Sequence, residues 1–141
     1  MKRPLAALAM TAVSILGMMT VAPSANAADG TCTSTTNVWR SYNKNNYVST
    51  VPTTGSGSTS CIMQQGASGY HVFVLQYTLH FCHGYNIRMD HQYGPETAAA
   101  VRSFQASKGL AADGIYGPNT RNALSWRFYV TDGSSLACWR L

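Results

Sequence analysis

Two short segments of this chain repeat each other at an offset of 23 residues. Residues 90–97 read DHQYGPET, and residues 113–120 read DGIYGPNT. The offset continues beyond them, because Ala100-Val101 corresponds to Ala123-Leu124. An internal repeat predicts one supersecondary unit that is used twice. Since Gly and Pro set turns and proline suits the first position of a helix, each unit is predicted to be a loop followed by a helix.

A further helix is predicted ahead of the repeats. Val72, Leu75 and Leu79 are spaced so that they form one apolar helical face. Gly84 is placed to end this helix, because glycine readily takes the left-handed conformation that a helix C-terminus needs.

The repeats supply the second and third helices. The second is predicted to begin near Pro95 and to stop at Gly109. The third is predicted to begin near Pro118, with Ala123, Leu124 and Phe128 facing inward.

The first 60 residues divide into two regions of different composition. Met1-Lys2-Arg3, an apolar run to Val21 and the small-residue site Ala25-Asn26-Ala27 predict a secretory signal peptide over residues 1–27, with a membrane anchor as the alternative. Residues 28–60 are rich in Thr, Ser, Asn and Gly, with two β-branched and aromatic stretches. We expect an N-terminal arm here, either extended or a short hairpin.

All four cysteines lie beyond the predicted signal peptide. Export together with an even cysteine count predicts two disulfides. Since the termini of compact domains often meet, we expect Cys32–Cys138 with Cys61–Cys82. The competing pairing is Cys32–Cys61 with Cys82–Cys138. A metal site at the cluster of His80, Cys82 and His83 is the other interpretation, but the usual paired zinc spacings are absent from the sequence, so we predict no metal.

The motifs resemble one known family closely. The chain has GYHVFVLQ followed by Leu79, then DHQYGPET with Ala100-Val101 and Phe104-Gln105, then GLAADGIYGPNT. This order is similar to the peptidoglycan-binding domain found beside bacterial cell-wall hydrolases. The similarity covers about residues 64–126. One departure is His91, which stands where the family usually has glycine, and it must bear strain if that position takes a positive φ.

The resemblance implies a fold class and a domain organisation. We expect a mainly α, small three-helix bundle with two loop–helix repeats, braced by disulfides. The predicted organisation is a signal peptide over residues 1–27, an arm over 28–60, a peptidoglycan-binding-like domain over 61–130 and a C-terminal tail over 131–141.

The resemblance also suggests where a ligand would bind, because loop tips on a rigid scaffold commonly carry binding residues. Arginines can meet carboxylates, tyrosines can present a hydroxyl, and an amide can meet an acetamido group. Most conspicuous residues of the repeats are nevertheless interpreted as scaffold, and a helix-to-loop hydrogen bond is the alternative role of the glutamine. The candidate ligand-binding residues are Tyr93, Arg102, Gln105, Tyr116, Asn119 and Arg121.

These observations favour a secreted, non-catalytic monomer that binds cell-wall peptidoglycan, located outside the cell or at the wall and needing no cofactor. A secreted protein–protein interaction or inhibitor module is the alternative. A cell-wall hydrolase ranks third, because only five Asp and Glu are present and two of them begin the repeat loops. Removing Lys2 and Arg3 lowers the formal charge from +5 to +3. The remaining Lys and Arg are scattered, so neither nucleic acid nor, after signal cleavage, a membrane is an expected partner.

Overall fold

The computed structural model describes residues 27–132 and 136–141 of the protein. The predicted signal peptide lies outside these residues, except for Ala27. No helix of the described part is long and apolar enough to cross a membrane. In chain order the elements are β1 (Ser34–Tyr42), β2 (Asn45–Thr53), α1 (Tyr70–His83), α2 (Pro95–Ser107), α3 (Pro118–Ala123), β3 (Ser125–Val130) and β4 (Leu136–Arg140).

The four strands form one antiparallel sheet in the order β1-β2-β3-β4. The stretch ahead of the helices is a hairpin, with Tyr42 opposite Asn45. Its two turn residues, Asn43 (φ 47°) and Lys44 (φ 66°), both take the positive φ of a tight hairpin turn. Since β2 pairs with β3 through Tyr47 opposite Val130, this hairpin is half of the sheet rather than an appended arm.

The expectation of a mainly α-helical fold is wrong, because a four-stranded sheet stands beside the helices. The segment after α3 is the main cause. Phe128 was expected on the third helix, but that helix ends at Ala123 and residues 125–130 form β3. Every second residue of β3 is buried, beginning with Trp126, which is the period of a strand. The predicted tail supplies β4, which β3 needs as its partner.

The helix ends set by glycine and proline agree with the expectation. Gly69 precedes α1, and Gly84 ends it in the left-handed conformation (φ 74°). Pro95 and Pro118 begin α2 and α3. The core lies between α1 and strands β2 and β3 and continues to the repeats. Its largest fully buried side chains are Trp126, Tyr93, Tyr116, Phe104, Phe128, Met63, Leu75, Leu79 and Leu124.

The disulfides join Cys32 to Cys61 and Cys82 to Cys138. The expected pairing was therefore wrong, and the competing one is present. Cys32 lies beside Cys61 because Thr31 forms a bridge with Ile62. Cys138 reaches the end of α1 because β4 pairs along β3, which packs on that helix. These strand contacts, rather than a meeting of the chain termini, set the pairing.

Candidate functional site

A buried glutamine of α1 holds the first repeat loop, residues 90–97. Its Nε2 lies 3.0 Å from the Asp90 Oδ1, 2.9 Å from the Gln92 carbonyl oxygen and 3.0 Å from the Thr97 Oγ1. Its Oε1 accepts a hydrogen bond of 3.1 Å from the His91 backbone N–H. This residue is Gln76, and its single amide group ties the start, tip and end of the loop to the preceding helix.

Gln105 of α2 repeats this arrangement in the second loop, residues 113–120. Its Nε2 lies 2.9 Å from the Asp113 Oδ1, 2.8 Å from the Ile115 carbonyl oxygen and 3.0 Å from the Thr120 Oγ1. Its Oε1 accepts from the Gly114 backbone N–H at 2.9 Å. The amide is therefore engaged by the loop, as in the helix-to-loop interpretation of this residue.

The aspartate at the start of each loop anchors the turn. Asp90 accepts a hydrogen bond from the Gln92 backbone N–H, and Asp113 accepts one from the Ile115 backbone N–H. The amide of Gln76 and then the backbone of Gln92 hold the pKa of the Asp90 carboxyl below its usual range. Both hydrogen bonds favour the carboxylate, so this group is ionised at neutral pH.

The residue after each aspartate takes a positive φ, which is 65° at His91 and 75° at Gly114. The strain expected at His91 is thus present, since this conformation favours glycine. The His91 ring lies 4.7 Å from the Phe73 ring and stacks on it, so that the side chain has a partner on α1. At Gly114 a side chain has no such space, because an added Cβ would lie 3.0 Å from the Ala98 carbonyl oxygen.

The two repeat tyrosines are buried in the core rather than presented at the surface. The Tyr93 hydroxyl donates a hydrogen bond of 2.9 Å to the Gly114 carbonyl, which joins the first repeat to the second. The Tyr116 hydroxyl is buried and has no hydrogen-bond partner among the described residues. Burial raises the pKa of both hydroxyls, so both remain protonated.

Each loop borders a shallow cleft, and the two clefts share six positions at the 23-residue offset. The first cleft has a volume of about 450 Å³ and is lined by Arg88, Asp90, Gln92, Gly94, Pro95, Glu96 and Thr97. The second cleft has a volume of about 250 Å³ and is lined by Ala28, Ile62, Gln105, Leu110, Ala111, Asp113, Ile115, Gly117, Pro118, Asn119 and Thr120. The first is mainly polar, and the second has apolar walls.

The remaining candidate ligand-binding residues lie around the second loop. Asn119 is exposed and lines the second cleft. Arg102 is exposed beside Gly114, and Arg121 is half-buried, with its guanidinium bonded to Thr59 and Asn122. The structure thus brings Gln105 and Asn119 into one cleft and leaves both arginines and both tyrosines outside its lining.

A family model described as "Putative peptidoglycan binding domain" matches residues 68–124. This segment contains α1, both loops with their glutamines, α2 and α3. The chain carries a domain of this family. The resemblance in the motifs is thereby confirmed, and the peptidoglycan-binding domain of this chain is the part that contains both clefts.

Relatives share this domain over part of their length. A probable N-acetylmuramoyl-L-alanine amidase of Bacillus licheniformis is 45% identical over 73 residues, which are 50% of this chain and 20% of the relative. The zinc D-Ala-D-Ala carboxypeptidase of Streptomyces albus G is 42% identical over 72 residues, 50% of this chain and 28% of the relative. This chain thus spans less than a third of either. A solved peptidoglycan-binding protein from Clostridioides difficile, in complex with glutamine hydroxamate, is 32% identical over 60% of this chain and 53% of that one, with a TM-score of 0.45.

The histidines near Cys82 have other partners. His80 Nδ1 lies 3.1 Å from the Tyr85 carbonyl oxygen, and His83 Nε2 accepts a hydrogen bond of 3.1 Å from the Ser125 N–H. Burial lowers the pKa of His83, which favours the neutral ring that this bond requires. Within residues 27–132 and 136–141, no three His, Cys, Asp or Glu side chains are grouped as metal ligands.

Sequence reasoning missed two features of the peptidoglycan-binding domain. The role of Gln76 was not predicted, although it stands in the first motif as Gln105 stands in the second. The other is an aromatic row on α1, formed by Tyr70, Phe73, Tyr77 and Phe81. Its spacing of three, four and four residues is a helical signal that was available in the sequence.

Proposed function

We propose that this protein is secreted and binds cell-wall peptidoglycan without catalysis, through the two repeat loops and their clefts. The second cleft is the observation that carries this proposal. Its apolar walls, which include Ile62 and Leu110, suit methyl groups of acetamido and alanyl units. Asn119 at its edge can hydrogen-bond to an amide of the same polymer.

We propose two different roles for the predicted ligand-binding residues. Gln105 supports the second cleft by fixing its loop, and the buried Tyr93 and Tyr116 fix the position of the repeats. Arg102 and Asn119 make the exposed contacts to the polymer. Arg121 acts in the same group at the edge of α3, where its planar guanidinium suits a peptide carboxylate. These exposed side chains give a broad and shallow contact, so the affinity of one site is modest.

The surroundings of the acidic residues support a non-catalytic function. Asp90 and Asp113 are held by glutamine amides, Glu96 pairs with Arg88 at 3.2 Å, and Asp29 accepts from the Ser58 hydroxyl. Glycoside hydrolysis requires two carboxyl groups that can act on one bond. Carboxylates engaged in holding turns are poorly placed for that chemistry. The two disulfides support export, because such bonds persist in oxidising compartments.

The direct test is co-sedimentation of the purified, oxidised protein with purified sacculi. The alanines at 111 and 112 offer a matched pair, since both are exposed and only Ala111 lines the second cleft. Ala111→Trp fills the cleft and is expected to weaken binding about 10-fold, which corresponds to about 1.4 kcal/mol. Ala112→Trp adds the same bulk outside the cleft and is expected to bind within about 2-fold of the original protein.

Failure of the oxidised protein to co-sediment would overturn the proposal. Capture of an extracellular protein, together with no binding to sacculi, would instead establish an interaction module. A zymogram with embedded cell walls tests the non-catalytic part. We expect no cleared zone, and a cleared zone that persists in a preparation of proven purity would show a hydrolase.

A further inference from the structure

The outer face of α1 carries a row of aromatic rings that the core does not use. Val72, Leu75 and Leu79 point inward and are fully buried. The outward rings contact one another along the helix, with the Tyr77 and Phe81 centroids 4.5 Å apart. Strand β3 adds Arg127 and Tyr129 at their side, and the first loop adds His91. We call this surface the aromatic face, formed by Tyr70, Phe73, Tyr77, Phe81, His91, Arg127 and Tyr129.

The aromatic face is open to solvent and contains its own cleft. Tyr70 and Phe81 are 55% and 46% exposed, although both are large apolar side chains. Between them a cleft of about 190 Å³ separates α1 from the sheet, with Ser49 and Thr50 of β2 at its far wall. Exposed rings arranged around a cleft differ from scattered surface apolar residues, since they present a contiguous surface for a ligand.

Arg127 gives the aromatic face its charge. Its guanidinium lies 4.1 Å from the Phe81 ring centroid and 5.2 Å from that of Tyr77. Its Nε is buried and has no hydrogen-bond partner within the part of the chain that the structure describes, where the one ion pair joins Arg88 to Glu96. A buried donor of this kind needs an acceptor, and a guanidinium matches a carboxylate best.

His91 places the aromatic face next to the first cleft. Its ring stacks on Phe73, while Asp90 and Gln92 on either side of it line that cleft. A polymer that occupies the first cleft would therefore have its next units close to the aromatic rings. The departure from glycine at position 91 extends the ring surface toward the loop.

We propose that the aromatic face binds a sugar ring that carries a free carboxylate. The C–H face of the ring would lie on the aromatic row, and the carboxylate would accept hydrogen bonds from Arg127. This inference rests on the proposed function and makes it more specific. In peptidoglycan the lactyl carboxyl of the muramyl sugar is consumed by the amide bond to the stem peptide. Hydrolysis of that amide adds water, frees the peptide amine and regenerates the carboxylate. The ligand is therefore the glycan strand from which peptides have been removed, and amide hydrolysis is the class of reaction that must supply it.

The first test uses two soluble probes and nuclear magnetic resonance of the oxidised protein. N-acetylmuramic acid has the free carboxylate, and N-acetylglucosamine is the matched ring without it. We expect N-acetylmuramic acid to shift the Arg127 Nε–Hε signal and N-acetylglucosamine to leave it unchanged. The absence of a shift with N-acetylmuramic acid, or equal shifts with both sugars, would overturn the proposal.

The second test compares intact sacculi with sacculi whose stem peptides have been removed by an amidase. We expect the protein to bind the stripped sacculi about 5-fold more tightly, a gain of about 1 kcal/mol. Arg127→Gln and Phe81→Ala should each abolish this gain. Trp39→Ala is the matched control, because Trp39 is an exposed aromatic residue of β1 outside the aromatic face. Circular dichroism and urea unfolding of each variant show that the fold is retained.

The variants separate the failure of this inference from the failure of the proposed function. Ala111→Trp should weaken binding to both kinds of sacculi and leave their ratio unchanged. A ratio of one in the unmodified protein, or a gain that survives both aromatic-face variants, would overturn the inference while cleft binding stands. Absence of binding to either kind of sacculus would overturn the proposed function and, with it, the assignment of the ligand to peptidoglycan.

Discussion

The two repeat loops have the same hydrogen bonds and different surroundings at their tips. In both, a glutamine amide joins the aspartate, the backbone and the threonine, with the distances matching to within about 0.2 Å. The tip of the first loop, His91, is exposed and stacks on Phe73. The tip of the second, Gly114, is buried against the Ala98 carbonyl of α2.

This difference shows that the glutamine network, rather than the tip residue, sets the backbone of the loop. The network imposes a positive φ in both copies, even where the residue is histidine. What may occupy the tip is then decided by its neighbours. The first loop has gained a side chain for the surface, while the second has kept the glycine that close packing requires.

The largest effect is expected at the second tip. Gly114→Ala adds a Cβ in the left-handed region and 3.0 Å from a carbonyl oxygen, so we expect a loss of about 3 kcal/mol in the free energy of unfolding. His91→Ala keeps the same backbone strain and removes one ring contact, so it should cost less than about 1 kcal/mol. Urea unfolding measures both variants. Equal losses would show that the tips are not in different surroundings.

Removing the glutamines should have the next largest effect. Gln105→Leu leaves the Gly114 N–H and the partners of the amide without bonds inside the protein, and we expect a loss of about 3 kcal/mol. Gln76→Leu should cost about 2 kcal/mol, because water can reach the exposed tip of the first loop. Hydrogen exchange of the two loop amides, His91 and Gly114, provides the local measurement. A smaller loss for Gln105→Leu than for Gln76→Leu would contradict this order.

The repeat tyrosines should respond in opposite directions when their hydroxyls are removed. Tyr93→Phe removes the donor to the Gly114 carbonyl and should lower the free energy of unfolding by about 1 kcal/mol. Tyr116→Phe removes a buried hydroxyl that has no partner among the described residues, so stability should be unchanged or raised. Thermal unfolding of both variants makes the comparison. A loss for Tyr116→Phe equal to that for Tyr93→Phe would refute the assigned asymmetry.

The smallest effect concerns pH and the first loop. The folded protein lowers the pKa of Asp90 from 3.8, so the unfolded chain binds a proton more readily than the folded one in this range. The contribution of Asp90 to stability is therefore present above its unfolded pKa and is lost as the pH falls through the folded value. Carboxyl resonances should show an Asp90 midpoint below 3.8. Asp90→Asn should flatten the decrease in melting temperature on acidification, and an unaltered slope would contradict this role.

The helix boundaries could be predicted from the sequence because their signals are local. Proline begins α2 and α3, and Gly84 ends α1, so each boundary depends on a few adjacent residues. The family was also recognisable, since the repeated motifs have a fixed order and spacing. The positive φ at His91 followed from the same comparison of the two repeats.

The sheet and the disulfide pairing could not be found in this way, because both depend on contacts between distant residues. Phe128 fits the period of a helix that continues from α3 as well as that of a strand, and only pairing with β2 and β4 decides between them. The same pairing brings Cys138 to Cys82. At the site, the glutamine amides and the charge of the aromatic face depend on partners that lie 8 to 50 residues away.

The rule that each loop is held from the preceding helix also explains why the array stops after two units. Gln105 is the eleventh residue of α2, whereas α3 has only six residues and ends at Ala123. A third loop placed after α3 would have no amide to hold it. The chain instead enters β3, whose partners are strands from both ends of the protein. The short last helix is thus a terminator that separates a repeat capable of extension from a sheet that closes the fold.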